Sequence, residues 1–167
     1  MLTPVLLLAA TLALAADRKA PEPSPFAGTV LTQSTEGLVF LQARFATTHG
    51  GNVRYEPQPH KDTLGFWTRP DDWVDWKFRL AQPGAFTVEL TQACGKGSGG
   101  SEYTLSVGGQ SLTNTVPDTG AFTNFIQRAI GTVRLAQPGE YTLTVKPLKK
   151  PGLAVMDLRA VTLKPVR

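Results

Sequence analysis

A ten-residue phrase occurs twice in this chain. Arg79-Leu80-Ala81-Gln82-Pro83-Gly84-Ala85-Phe86-Thr87-Val88 returns as Arg134-Leu135-Ala136-Gln137-Pro138-Gly139-Glu140-Tyr141-Thr142-Leu143. Each copy closes one strand, turns at Pro-Gly and opens a new strand on an aromatic residue. Proline presets φ at the first central turn position and glycine supplies positive φ at the second, which predicts a type II turn. The residues between the copies do not match, so the echo is repeated turn use and not a duplication.

The strands that follow these turns alternate. Phe86, Val88 and Leu90 face one way, and Thr87, Glu89 and Thr91 the other. Tyr141, Leu143 and Val145 alternate with Thr142, Thr144 and Lys146, and Tyr103, Leu105 and Val107 form a third such run. Sheets with one apolar and one wet face are antiparallel. No later segment sustains a 3.6-residue period. The expected fold is all-β: a two-sheet antiparallel β-sandwich, a jelly roll. Its predicted core includes Trp76, Phe78, Phe86, Val88, Tyr103, Leu105, Tyr141 and Leu143.

The chain ends set the domain limits. Residues 1–16 carry no charge and hold an apolar run from Val5 to Ala16. That run is too short to span a bilayer and suits a signal peptide, with Ala13-Leu14-Ala15 as the cleavage pattern. The n-region lacks the usual Lys or Arg. Residues 17–27 form a Pro-rich linker, because prolines at alternate positions disfavour helix. Residues 28–167 are then the β-sandwich domain, long enough to bury a core of its own. The expectation is an exported monomer, periplasmic or extracellular, with no membrane span.

Net charge is +4, but the basic residues are scattered and show no interleaving with aromatics. That argues against a nucleic-acid partner. Cys94 is the only cysteine, so no internal disulfide forms; it ends an apolar strand and is read as a small buried hydrophobe. Gly95-Lys96-Gly97-Ser98-Gly99-Gly100 contains a G-x-G-x-x-G pattern, yet a strand and not a helix follows, so the glycines are read as a hairpin loop. The two histidines, His49 and His60, look like loop residues, and nothing marks a nucleophile. No catalytic residue, metal ligand or cofactor is assigned.

All three tryptophans fall between Leu64 and Trp76. From Trp73 the residues alternate, with Val74, Trp76, Phe78 and Leu80 inward and Trp73, Asp75, Lys77 and Arg79 outward. Trp67 precedes the strand among turn residues. It is either a flat surface for a ligand or a plug in the end of the sandwich. Asp62, Asp71, Asp72 and Asp75 cluster nearby and have four open roles: turn caps, acceptors for sugar hydroxyls, metal ligands or a glycosidase pair.

From about Leu38 to Val166 the chain resembles carbohydrate-binding-module-like jelly rolls related to the family 6 and family 35 modules, of the kind appended to secreted α-L-fucosidases and sulfatases. The matching segments are His49-Gly50-Gly51-Asn52-Val53-Arg54-Tyr55-Glu56, Leu64-Gly65-Phe66-Trp67-Thr68 with Asp72 and Trp76, Gly99-Gly100-Ser101-Glu102, Thr119-Gly120-Ala121-Phe122-Thr123-Asn124-Phe125 and Met156-Asp157-Leu158-Arg159. The resemblance implies a jelly roll of the galactose-binding-like kind with a sugar site in the loops at one end of the sandwich, where two aromatics clamp a ring. It places Trp67 and Phe122 together there, with Tyr55, Glu56, Asp72 and Asn124 around them. Ala121-Phe122 stands where those modules usually show Gly-Trp, and Val155 where an asparagine often sits. Leu41-Gln42-Ala43 replaces the acidic calcium ligands of the first strand, so no calcium is expected. The implied function is a non-catalytic, secreted carbohydrate-binding domain acting on a polysaccharide or glycan, beside a secreted hydrolase or sulfatase. The alternative is a structural or protein-interaction sandwich of a secreted or periplasmic assembly.

Overall fold

A computed structural model describes residues 22–166; the expected signal peptide lies outside the described residues. Twelve strands follow in chain order: β1 (Val30–Thr32), β2 (Val39–Gln42), β3 (Thr47–His49), β4 (Arg54–Glu56), β5 (Thr63–Gly65), β6 (Trp73–Leu80), β7 (Gly84–Cys94), β8 (Glu102–Val107), β9 (Gln110–Thr115), β10 (Ala121–Leu135), β11 (Gly139–Lys149) and β12 (Asp157–Pro165). Among the described residues the only helical element is a 3-10 turn at Ala43–Phe45. One sheet runs β1-β6-β11-β8-β9, with β3 sharing the β1 edge of β6. The other runs β10-β7-β12-β5-β4, with β2 also on β12. All the pairings are antiparallel except β1 with β6.

The alternating residues meet between the sheets as expected. Trp76, Phe78, Phe86, Val88, Tyr103, Leu105 and Leu143 are buried, and so is Cys94. Tyr141 is half-buried at the margin, stacked on Phe78 with ring centroids 5.7 Å apart. The Trp76 indole N–H donates to the Gln42 carbonyl at 2.8 Å, so its polar edge is satisfied. Burial pushes the Cys94 thiol up to about 11, which leaves it an inert packing group.

The repeated phrase makes corners and not type II turns. Both copies carry the chain from one sheet to the other: β6 leads to β7, and β10 to β11. Gly84 has no positive φ and Gly139 lies at 145°, so neither matches the second position of a type II turn. Changing sheet needs an extended step where a reversal was expected. Gly139 pairs with Leu80 and Leu135 with Gly84, so the two corners run side by side. Gln33 fastens the first. Its amide oxygen accepts from the backbone N–H of Ala81 (3.0 Å) and Gln82 (2.7 Å), and its amide nitrogen donates to the carbonyls of Gly37 (2.8 Å) and Gln82 (3.2 Å).

Three local expectations change. The 95–100 segment is not a hairpin loop, because it joins strands of different sheets. The Gly97 N–H donates to the Asp118 carboxylate and Gly100 N–H to the Val116 carbonyl, and a Cβ on Gly99 would come within 2.8 Å of the Asp118 nitrogen. His49 belongs to β3 and not to a loop. Its ring stacks on Trp73 at 3.6 Å and its Nε2 bonds the Asp75 carboxylate at 2.6 Å. The packed domain also begins before residue 28: the Phe26 ring meets Phe45 edge-on at 6.0 Å, and Gly28 N–H donates to the Phe45 carbonyl.

Candidate functional site

One end of the sandwich carries a cleft of about 220 Å³, lined by Glu56, Lys61, Phe66, Thr68, Phe122, Leu153, Ala154 and Asp157. Two irregularities in the second sheet build it. Ala121 pairs with Cys94 and Ile126 with Gln92, so three extra residues of β10 bulge over the sandwich end, and Phe122 leaves the strand's alternation there. Its ring lies on Gly95, where a Cβ would come within 2.4 Å of it. On β12, Leu158 pairs with Gln92 and Ala160 with Thr91, so Arg159 is bulged out. The guanidinium then donates to the carbonyls of His60 (2.9 Å) and Lys61 (Nε at 3.0 Å, Nη2 at 2.8 Å) and lies 3.5 Å from the Phe125 ring centroid. Those bonds hold the 58–62 turn, and with it Lys61, at the cleft.

The floor is charged. The Lys61 ammonium pairs with the Asp157 carboxylate, lies 3.4 Å from Glu56 Oε2 and donates to the Phe122 carbonyl at 3.5 Å. Gly65 lets these groups converge: a Cβ there would sit 1.8 Å from Glu56 Oε2 and 3.4 Å from Asp157 Oδ1. Burial pushes the Asp157 carboxyl up to about 6; Lys61 opposes that rise and the Glu56 charge adds to it. The walls are apolar. Phe66 is 47 % exposed and Leu153 72 %, both large hydrophobic surfaces at the rim.

Trp67 is not part of the cleft. It is fully buried, its indole N–H donates to the Asp72 carbonyl at 2.8 Å, and its own carbonyl accepts from Val155 N–H at 2.8 Å. Phe66 takes the outward place. Its φ of 53° is a left-handed conformation that a bulky residue seldom adopts, and a Thr68 N–H to Phe66 carbonyl bond of 2.8 Å tightens the turn that follows. That kink sends residue 66 outward and residue 67 into the core. The polar turn residues flank the indole without hydrating it, and of the two roles open to Trp67 the buried position fits the plug.

Asp72 is likewise absent from the cleft. It is buried, and its carboxylate accepts from the backbone N–H of Gly51 (2.9 Å), Asn52 (2.8 Å) and Val53 (2.8 Å). Of its open roles the structure supports the turn cap. Gly50, at φ 112°, wraps this carboxylate so closely that a Cβ would fall 2.1 Å from Oδ1. Tyr55 points to the opposite side of β4 from Glu56, where its hydroxyl donates to Asp62 at 2.6 Å. Asn124 turns its amide to the Thr119 carbonyl at 2.6 Å and does not line the cleft. Of the six expected residues, then, Glu56 and Phe122 meet there. Lys61, Phe66, Thr68, Leu153 and Asp157 were missed as site residues, although Phe66, Thr68 and Asp157 stand inside segments that carry the resemblance. Val155, at the expected asparagine position, is buried. Among the described residues no group of His, Cys, Asp and Glu side chains is arranged to hold a metal ion.

The fold is shared with solved sandwiches. The C-terminal family 6 carbohydrate-binding module of LamC, a marine laminarinase from Zobellia galactanivorans, superposes with a TM-score of 0.61 at 16 % identity, over 76 % of this chain and 98 % of that one. A family 35 carbohydrate-binding module from Clostridium thermocellum gives 0.57 at 16 % identity, over 77 % and 98 %. The insecticidal crystal protein Cry2Aa gives 0.65 at 13 % identity, over 81 % of this chain and 23 % of that one. These likenesses establish the jelly-roll sandwich and leave the ligand to be argued from the site. No curated protein matches the chain in sequence. A family model described as "Domain of unknown function (DUF5077)" matches residues 51–166, the stretch that holds the whole cleft, and the chain belongs to that family.

Proposed function

We propose that the domain binds carbohydrate in the end cleft, as a non-catalytic module of an exported protein. The observation that carries this is the pairing of two phenylalanine rings, Phe66 and Phe122, with a carboxylate-lined floor in one small concavity. Sugar rings present C–H-rich faces to aromatic surfaces and hydroxyls to polar groups at their edges. Glu56 and Asp157 supply acceptors for those hydroxyls. A volume of about 220 Å³ is below that of most drug-sized pockets and suits a single sugar unit. The sandwich shared with carbohydrate-binding modules supports the reading at the level of fold.

The same geometry supports a non-catalytic reading. A glycosidase needs one carboxylic acid and one separate base or nucleophile. Here both carboxylates face one ammonium, which occupies the space between them. The uncharged apolar segment at residues 5–16 supports export, and a secreted hydrolase or sulfatase is the protein we expect beside the module. The test is a glycan array, followed by titration calorimetry with Phe122→Ala. Binding by the parent domain that the variant loses, at an unchanged melting temperature, supports the proposal. A blank array favours the second reading, a protein-interaction domain, for which the exposed Leu153 and Phe66 rim is the supporting feature.

A further inference from the structure

We propose that the cleft selects a cationic amino sugar, an unacetylated 2-amino-2-deoxyhexose, over neutral and anionic sugars. The inference rests on the carbohydrate reading above and adds the sign of the ligand's charge. The argument begins with Lys61. An ammonium has three N–H donors. Three acceptors surround this one: the Asp157 carboxylate, Glu56 Oε2 at 3.4 Å and the Phe122 carbonyl at 3.5 Å. The ammonium hydrogen-bonds Asp157 and the Phe122 carbonyl and is ion-paired with Glu56, so two carboxylates of its own chain already outweigh its charge before a ligand carboxylate or sulfate arrives.

Two carboxylates share that single ammonium, so the lining carries one more negative charge than positive. Glu56 Oε1 and Asp157 Oδ1 take no hydrogen bond from any described residue and remain as acceptors. The other nearby cations are turned away. Arg54 lays its guanidinium on the Phe66 ring, 3.4 Å from the centroid and outside the lining, and Arg159 is spent on the His60 and Lys61 carbonyls. In a half-dry cleft an uncompensated negative charge favours ligand donors, an ammonium most of all, and repels a ligand anion. The Phe122 ring adds a cation–π attraction to the stacking of the sugar's C–H face, while Arg54 already covers one face of Phe66. The preference runs against the chain's net +4, which by itself would favour acidic polymers.

The test is titration calorimetry of the domain at pH 7 and low salt against four β-1,4-linked tetrasaccharides: of glucosamine, of N-acetylglucosamine, of glucose and of glucuronate. The glucosamine tetramer is expected to bind roughly tenfold tighter than the neutral pair, with no detectable binding of the glucuronate tetramer. Glu56→Gln should narrow that gap, about 0.5 M NaCl should narrow it further, and Phe122→Ala should remove binding. A neutral tetramer bound as tightly as the amine in a Phe122-dependent way, or preference for glucuronate, overturns the charge proposal and leaves the carbohydrate reading intact. Amine binding that survives Phe122→Ala also overturns it, by placing the ligand elsewhere. If no tetramer binds at all, both fall.

Discussion

Phe66 and Trp67 are neighbours with opposite duties, and one backbone torsion separates them. With Phe66 at φ 53°, its ring reaches the rim while the Trp67 indole closes the core and donates to the Asp72 carbonyl. Trp67→Ala should cost about 3–5 kcal/mol in urea denaturation, through the cavity it leaves. Phe66→Asn should change stability by less than about 1 kcal/mol, since asparagine tolerates the left-handed conformation, while ligand binding is lost. A stable Trp67→Ala protein would show that the indole is not a plug. Asp157 gives a pH signature. Its carboxyl is pushed from 3.8 up to about 6, chiefly by burial, so between those values the folded chain holds a proton that the unfolded chain has released. This group's contribution favours the fold at low pH, is lost as pH rises from about 4 to 6, and above that weighs against folding. Asp157→Asn removes the titration. The wild-type melting temperature should therefore fall relative to that variant between pH 4 and 6, and parallel curves would rule the effect out.

At the scale of elements, the repeated phrase was legible and its geometry was not. Pro-Gly announces a change of direction, but whether the chain reverses within a sheet or crosses to the other depends on partners far away in sequence. Here Leu80 and Gly139, and Leu135 and Gly84, meet across the two corners. Gln33 makes three hydrogen bonds to the first corner and a fourth to the Gly37 carbonyl, from a buried position. Gln33→Ala should cost about 1–2 kcal/mol, measured by thermal denaturation, because the backbone N–H groups of Ala81 and Gln82 lose the acceptor that fixes the corner. A loss within about 0.5 kcal/mol would mean that the corner holds without it. The bulges that raise Phe122 and Arg159 left no trace in the residue pattern. A bulge is a mismatch between two strands, and one strand's sequence does not carry it.

For the whole molecule, export stands as the remaining prediction: N-terminal sequencing of the protein from its native host should find Ala16 or Asp17 first, and Met1 there would refute it. The chain alone determined the sandwich and most of its core, because two-residue alternation is a local property and burial of one face follows from it. Trp76, Phe78, Phe86, Val88, Tyr103, Leu105 and Leu143 all lie where that period puts them. The segments that carry the resemblance also lead to the end of the molecule that holds the cleft, where Glu56 and Phe122, both named from it, lie. Tertiary structure alone decided which side chains of those segments line the cleft. A torsion at Phe66 exchanged it with Trp67, the backbone N–H groups of Gly51, Asn52 and Val53 claimed Asp72, and the absence of a side chain at Gly65 let Glu56, Lys61 and Asp157 converge. Each depends on contacts between residues distant in the chain, and periodicity and composition hold no record of those.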